Sequence, residues 1–128
     1  MTTYGSPFID EGDRARLGRI EIKVPVHLWR DDEECVLGVT QNLCIGGMYV
    51  ATSRSLAVGA RVMVRPSIFD GVEPLEIEAQ VCWSREVAAN SGEPAGMGLE
   101  FLDPLIHAAT FVRRLLRAVS RSRLADQP

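Results

Sequence analysis

Between Leu75 and Ser84 the sequence alternates without a break between residues of two kinds. One side of an extended chain there would carry Leu75, Ile77, Ala79, Val81 and Trp83, and the other side Glu76, Glu78, Gln80, Cys82 and Ser84. A period of two residues does not produce an amphipathic helix, so the pattern predicts a β-strand with one buried face. We expect a protein built mainly from sheet.

A first strand begins with the same alternation at Ile20. Its predicted inward residues are Ile20, Ile22, Val24, Val26 and Leu28. Pro25 lies between them and has no N–H to donate, so we expect an edge or a bulge there. The acidic run 31–34 then predicts a hairpin turn, and the inward residues expected after it are Cys35, Leu37 and Val39.

Three more segments complete the predicted sheet. They are Met48–Thr52 after the Gly46-Gly47 turn, the segment around Val62 and Val64, and Met97–Phe101. Six short strands, each with one solvent-exposed face, predict a small closed antiparallel barrel, because closure removes the sheet edges. The residues expected to be buried in it are Ile22, Val24, Val26, Ile77, Val81, Leu99 and Phe101.

After Phe101 the period changes to that of a helix. Asp103-Pro104 is typical of a helix start. The predicted apolar stripe consists of Leu105, Ile106, Ala109, Val112, Leu116 and Val119. This spacing predicts a helix over 104–123 that closes one end of the barrel. Another face carries Arg113, Arg117 and Arg121, either as solvated charges or as a surface that docks a partner.

The 128 residues are expected to form one domain over 14–124, with the barrel at 19–102, a flexible arm at 1–13 and a tail at 125–128. The net charge of −3 gives no general attraction to nucleic acid. The N-terminal residues lack an apolar leader, and no run approaches about 18 apolar residues, so we expect a cytoplasmic chain without a membrane span. Cys35, Cys44 and Cys82 have no C-x-x-C spacing and are expected to be reduced thiols.

Candidate catalytic residues are few. The two histidines, His27 and His107, are expected on the surface, and Glu76 with Glu78 is expected to be a solvated pair on one strand face. The sequence has no zinc-protease motif, metal cluster, phosphate-binding loop or dinucleotide fingerprint. We therefore predict no catalytic site, no metal and no cofactor. Trp83 is expected in the core and Trp29 on the outer face.

Several of these features resemble, in their order and spacing, the PilZ domain family of bacteria. They are the lead containing Arg14, Arg16 and Arg19, the turn Asn42–Gly47, the glycine-containing last strand and the C-terminal helix. The resemblance covers about Arg14 to Arg117. It implies a six-stranded barrel with a C-terminal helix, and a regulatory role in which many members bind the second messenger cyclic di-GMP. In the family an R-x-x-x-R segment and a D/N-x-S-x-x-G segment hold this ligand.

The resemblance assigns the ligand to positions that this chain fills only in part. Asn42 and Gly47 match the second motif, but Cys44 replaces its serine. Arg19 matches the second arginine of the first motif, whereas Ala15 occupies the position of the first. Losing one bidentate arginine contact costs about 1–3 kcal/mol, and replacing a hydroxyl hydrogen bond costs about 0.5–1.5 kcal/mol. Together these losses correspond to an affinity about 10- to 1,000-fold lower.

The sequence therefore predicts a non-enzymatic adaptor that works by contact with another protein and binds cyclic di-GMP weakly or not at all. One alternative is a functional receptor in which Arg14 or Arg16 replaces the missing arginine. A second alternative is a barrel that binds single-stranded nucleic acid, which would need aromatic residues on its outer face. The aromatic content of 6% makes that alternative the weaker one.

Overall fold

The computed structural model describes residues 20–68, 71, 74–87 and 92–125, with side chains up to Ser122. Within these ranges the elements are β1 (Ile20–Glu21), β2 (Pro25–Arg30), β3 (Glu33–Cys44), β4 (Gly47–Ala51), β5 (Arg61–Pro66), β6 (Ile77–Arg85), β7 (Gly96–Phe101) and the helix α1 (Leu105–Ala125).

Strands β2 to β7 form a closed antiparallel barrel. Their order around the barrel is β3, β2, β5, β6, β7 and β4, and β4 pairs back with β3 to complete the circle. The strand β1 lies outside this circle and pairs with the end of β3. The predicted six-stranded barrel is confirmed, with one short strand added.

The seven residues expected to be buried, from Ile22 to Phe101, all lie in the core. Each of the seven is at most 8% exposed, and Val26, Val81 and Leu99 have no exposed surface. Alternation predicts these positions well because successive side chains of a strand point to opposite faces.

The predicted first strand is interrupted at residues 22–24. There the hydroxyl of Thr40 donates to the carbonyl of Ile22 at 2.5 Å and accepts from the N–H of Val24 at 2.9 Å. Pro25 is the first residue of β2, and it lies neither at a bulge nor on an edge strand of the barrel, contrary to the prediction. Ile20 is 38% exposed, so its expected burial is wrong. A buried hydroxyl thus supplements the few backbone hydrogen bonds that join this segment to β3, at a point where the sequence pattern had no break.

The face predicted for β3 is wrong after Cys35, which itself packs partly buried against the core. Leu37 and Val39 are 62% and 38% exposed, whereas Val36 is buried. The register pairs Val36 with the inward-facing Leu28 and skips Cys35, which is therefore bulged. A single inserted residue moves the following side chains to the other face of the sheet.

A bulge moves Trp83 in the same way. Val81 pairs with Leu99 and Trp83 pairs with Gly98, so Cys82 is the extra residue. Trp83 consequently lies on the outer wall of the barrel, and its predicted place in the core is wrong. Trp29, expected on the outer face, is half-buried there, with the Arg65 guanidinium carbon 4.8 Å from its ring centre.

Helix α1 closes one end of the barrel, as predicted, but with a rotated face. Its buried residues are Ala108, Phe111, Leu115 and Ala118, whereas Val112, Leu116 and Val119 are only partly buried. Leu105 and Ile106 are 68% and 72% exposed, so the stripe predicted at the start of the helix is wrong. The ring of Phe111 meets that of Phe101 edge-on at 5.7 Å, which joins the helix to the barrel core.

Candidate functional site

The candidate site is built around the turn between β3 and β4. Strand β3 ends at Cys44, and Cys44 pairs with Gly47, the first residue of β4. The carbonyl of Gly46 accepts a hydrogen bond from the N–H of Phe101 at 2.9 Å. Because α1 follows directly after Phe101, this bond holds the turn at the helical end of the barrel.

Asn42, Cys44 and Gly47 come together on the outer wall beside this turn. Leu43 points into the core, so its neighbours Asn42 and Cys44 point outward. Each of these two is only 4% exposed. Among the described residues, nothing donates a hydrogen bond to the buried Oδ1 atom of Asn42. An unsatisfied buried acceptor costs about 1–3 kcal/mol, so a donor at this point would be stabilising.

The three arginines of the N-terminal lead, Arg14, Arg16 and Arg19, lie outside the described residues. Strand β1, where the described chain begins, lies beside the site. Ile20 pairs with Leu43 and Glu21 with Asn42 in antiparallel register. Ile20, the first described residue, therefore lies at the end of β3 that leads into the turn.

An aromatic pair that the sequence analysis did not identify continues the same wall. Asn42 pairs with Tyr49, Tyr49 with Gly98, and Gly98 with Trp83. The rings of Tyr49 and Trp83 stack with centres 5.0 Å apart and planes inclined by 11°. A Cβ atom on Gly98 would lie 2.3 Å from Nε1 of Trp83. The sequence contains one sign of this aromatic pair, which is the glycine at the outward-facing strand position 98. Glycine at such a position marks the close approach of another group.

Arg85 covers this aromatic pair. Its guanidinium carbon lies 5.2 Å from the ring centre of Trp83 and 5.7 Å from that of Tyr49, and its Nη1 contacts Glu93 Oε1 at 2.5 Å. The hydroxyl of Tyr49 donates to the carbonyl of Pro94. Burial raises the pKa of Tyr49, although the positive charge of Arg85 opposes this. The hydrogen bond to Glu93 is the main cause that raises the pKa of Arg85.

A carboxylate also lies near the turn. Glu100 pairs in register with Gly47 and alternates with the inward-facing Leu99 and Phe101, so it points to the outer wall. It is half-buried. An anionic ligand bound at this turn would meet this negative charge.

The other predicted residues lie on α1 and β2. Arg113, Arg117 and Arg121 are exposed on α1, and Ile106 shares their face because residues seven and eleven apart return to the same side of a helix. His27 is 3.1 Å from Glu34, and His107 is 3.9 Å from Asp103, both on the surface as expected. Across the described ranges there is no cluster of three or more potential metal ligands. No helix in this part of the chain is long and apolar enough to cross a membrane.

Comparisons with known proteins point to one family. The model of the PilZ domain matches residues 13–118. No curated protein matches the chain. The PilZ domain of CeSA from a cellulose-synthesising bacterium is similar to it with 27% identity and a TM-score of 0.52, over 75% of this chain and 92% of that one.

Two further solved structures have the same fold. The PilZ domain of YcgR from Escherichia coli, solved with c-di-GMP, is 17% identical with a TM-score of 0.58, over 88% of this chain and 98% of that one. The Bacillus subtilis inhibitor of motility MotI (DgrA) is 19% identical with a TM-score of 0.54, over 86% and 51% of the two chains. The matched family model and the closed barrel with its terminal helix show that this chain belongs to the PilZ domain family, a family of cyclic di-GMP receptors and adaptors.

Proposed function

We propose that this chain is a non-enzymatic regulatory domain that acts by binding another protein, and that it binds cyclic di-GMP weakly or not at all. The observation that carries the proposal is the composition of the turn. Asn42, Cys44 and Gly47 are assembled on one wall, but the thiol of Cys44 replaces a hydroxyl and is only 4% exposed. A thiol is a weak hydrogen-bond donor, so this position contributes little to holding a polar ligand.

Two other features support weak binding. The first arginine position of the family motif is Ala15, which removes one guanidinium from the resembled site. Glu100 places a carboxylate beside Gly47, where it would repel the phosphates of a cyclic dinucleotide. In the opposite direction, the Oδ1 atom of Asn42, which has no donor within the described part of the chain, would accept a hydrogen bond from a guanine N–H. That acceptor is what favours the alternative receptor, with Arg14 or Arg16 supplying the missing contact.

The exposed face of α1 is the proposed contact surface for the partner. It carries Arg113, Arg117 and Arg121 together with the largely exposed Ile106. Positive charge around an exposed apolar side chain suits a partner with an acidic surface and an apolar pocket. The opposite face of the helix is buried in the barrel end, so a partner can bind α1 without unfolding the domain.

Isothermal titration of the purified 128-residue chain with cyclic di-GMP tests the ligand half of the proposal. We expect no measurable heat, or a dissociation constant about 10- to 1,000-fold weaker than that of the YcgR PilZ domain measured under the same conditions. Equal or tighter binding by this chain would contradict the proposal and support the receptor. In that case Arg14→Ala and Arg16→Ala, tested separately, would show which arginine makes the contact.

A further inference from the structure

One stretch of β3 has a strand on one side only. Strand β2 pairs with β3 from Glu33 to Val39, and on the other side β4 pairs with β3 from Val39 onward. Within the described residues, 33–38 therefore have no neighbouring strand on the β4 side. This open edge is about 20 Å long at about 3.3 Å per residue. An unpaired edge is a template for another extended chain.

The corner at Thr52 defines where the open edge begins. Its hydroxyl donates to the carbonyl of Leu37 at 3.0 Å and accepts from the N–H of Arg54 at 3.2 Å. The carbonyl of Leu37 thus faces the open side, and its N–H faces the same way, because both groups of a strand residue leave on one side. A Cβ atom on Gly38 would lie 2.8 Å from the carbonyl oxygen of Ala51, so β4 stays close to β3 up to that residue.

A cleft of about 350 Å³ follows this edge. One wall consists of Glu34, Cys35, Val36 and Leu37, and the other of Thr52, Ser53 and Arg54. The cleft occupies the space into which β4 would continue if it did not turn away at Thr52. The side chain of Leu37 is 62% exposed at its rim. The cleft therefore offers backbone hydrogen-bonding groups and an apolar contact to the same ligand.

The charges around the cleft are segregated. Asp31, Asp32, Glu33 and Glu34 are all exposed at the turn between β2 and β3, and Arg54 is exposed at the other end. Acidic residues and a bulge, here at Cys35, are the features that prevent indiscriminate pairing of an edge. A matching strand must bring basic residues to the turn and an acidic residue to Arg54.

A second copy of this chain fits the edge poorly. In an antiparallel dimer formed through the two β3 strands, β4 of one copy would collide with the acidic turn of its partner. The reason is that β4 lies on the same side of β3 as the open edge. An extended segment of another protein has no such obstruction. The three strands that pair with β3 in the described structure (β1, β2 and β4) are antiparallel to it, and that arrangement is slightly more stable than a parallel one.

We propose that residues 33–38 of β3 bind an extended segment of another protein as an added antiparallel strand, acidic at its N-terminal end and basic at its C-terminal end. Backbone hydrogen bonds supply the affinity, and the contacts to Leu37, Arg54 and the acidic turn supply the selectivity. This surface lies at the end of the barrel away from α1. It does not depend on whether cyclic di-GMP binds.

The test uses a capped peptide of alternating valine and threonine, with glutamate at the N-terminal end and two lysines at the C-terminal end. Titrated into the 15N-labelled 128-residue chain, it is expected to shift the amide signals of residues 33–38. Two matched peptides serve as controls: one has the charges exchanged between its ends, and one has alternate backbone nitrogens methylated. We expect each to bind at least about tenfold more weakly.

Variants of the chain separate this surface from the rest of the molecule. Arg54→Glu is expected to weaken binding of the first peptide severalfold, whereas the same charge reversal at Lys23, an exposed residue outside the cleft, leaves it unchanged (Lys23→Glu). Absence of binding, binding that survives backbone methylation, or shifts outside the β3 edge would each overturn the proposal. Dimerisation of the free chain through residues 33–38 would also overturn it, because the second copy would then be the occupant.

Discussion

The ring of Tyr49 stacks on the indole of Trp83 at 5.0 Å, across the intervening strand β7. The contact joins β4 to β6 on the outer wall, directly beside the turn that carries Asn42 and Gly47. Such aromatic pairs contribute about 0.5–1.5 kcal/mol beyond the burial of their surface. The wall next to the candidate site is therefore a packed surface rather than a solvated one.

Gly98→Ala should destabilise the domain, because its new Cβ would lie 2.3 Å and 2.6 Å from two atoms of the Trp83 indole. Overpacking of this kind costs about 1–3 kcal/mol. Urea unfolding of the variant and of the wild type measures the difference. The matched control repeats Gly98→Ala in a Trp83→Ala background, where the cost should fall, since the clashing ring is gone. An equal cost in both backgrounds would contradict this explanation.

The buried phenol of Tyr49 should make stability depend on alkaline pH. Burial raises its pKa in the folded state, so above the ordinary value of about 10 the unfolded chain loses this proton first. The unfolded state then binds fewer protons, and the free energy of unfolding falls as pH rises. Urea unfolding between about pH 9 and pH 11 measures the slope. Tyr49→Phe should flatten it at those pH values, and an unchanged slope would assign the effect to other groups.

Val81→Asp should unfold the barrel. Val81 has no exposed surface and lies in the core. An unpaired buried carboxylate costs several kcal/mol, which is a large part of a total stability of about 5–15 kcal/mol. Circular dichroism during a thermal melt measures the loss. Gln80→Asp is the matched control, because it adds the same charge one residue away on the outer wall, and its melting temperature should stay near that of the wild type.

Ala15→Arg combined with Cys44→Ser should raise the affinity for cyclic di-GMP by about 10- to 1,000-fold. The double variant adds one hydroxyl to the wall that presents Asn42 and Gly47, and one guanidinium to the N-terminal lead, where the resembled motif has its first arginine. Cys44→Ser alone should contribute about 2- to 12-fold, from a hydrogen bond of about 0.5–1.5 kcal/mol. Calorimetry on the double and both single variants measures each step, because the two effects need not add. No gain with an intact fold would mean that the ligand surface is lost beyond these positions.

Reversal of Arg113, Arg117 and Arg121 to glutamate should abolish capture of the protein partner, while the barrel stays folded, since all three are exposed. Co-purification with the tagged chain measures capture, and a thermal melt checks the fold. A charge-matched control carries Lys23→Glu, Arg30→Glu and Arg61→Glu on the barrel, all exposed positions. Equal capture by both variants would mean that the helix arginines are solvated charges that do not contact the partner.

The alternation of side chains was enough to predict the barrel and most of its interior. Val26, Val81 and Leu99 are buried as expected, because a strand with a two-residue period has one buried face wherever it lies in the barrel. The helix was predicted from its change of period, and the turn at Asn42–Gly47 from its glycines. These features are set by residues that are close together in the sequence, so the sequence alone is enough to predict them.

The errors occurred where tertiary pairing inserts a residue or rotates an element. The bulges at Cys35 and Cys82 turned Leu37 and Trp83 outward, and the choice to bulge depends on the register of the partner strand. Which face of α1 is buried depended on the barrel end it covers, so Phe111 and Leu115 are buried instead of Leu105 and Ile106. The sequence by itself determined the fold and the candidate turn through local periodicity. The tertiary structure decided which side chains reach the outer wall, because a shift of one residue in strand pairing exchanges the two faces of a strand.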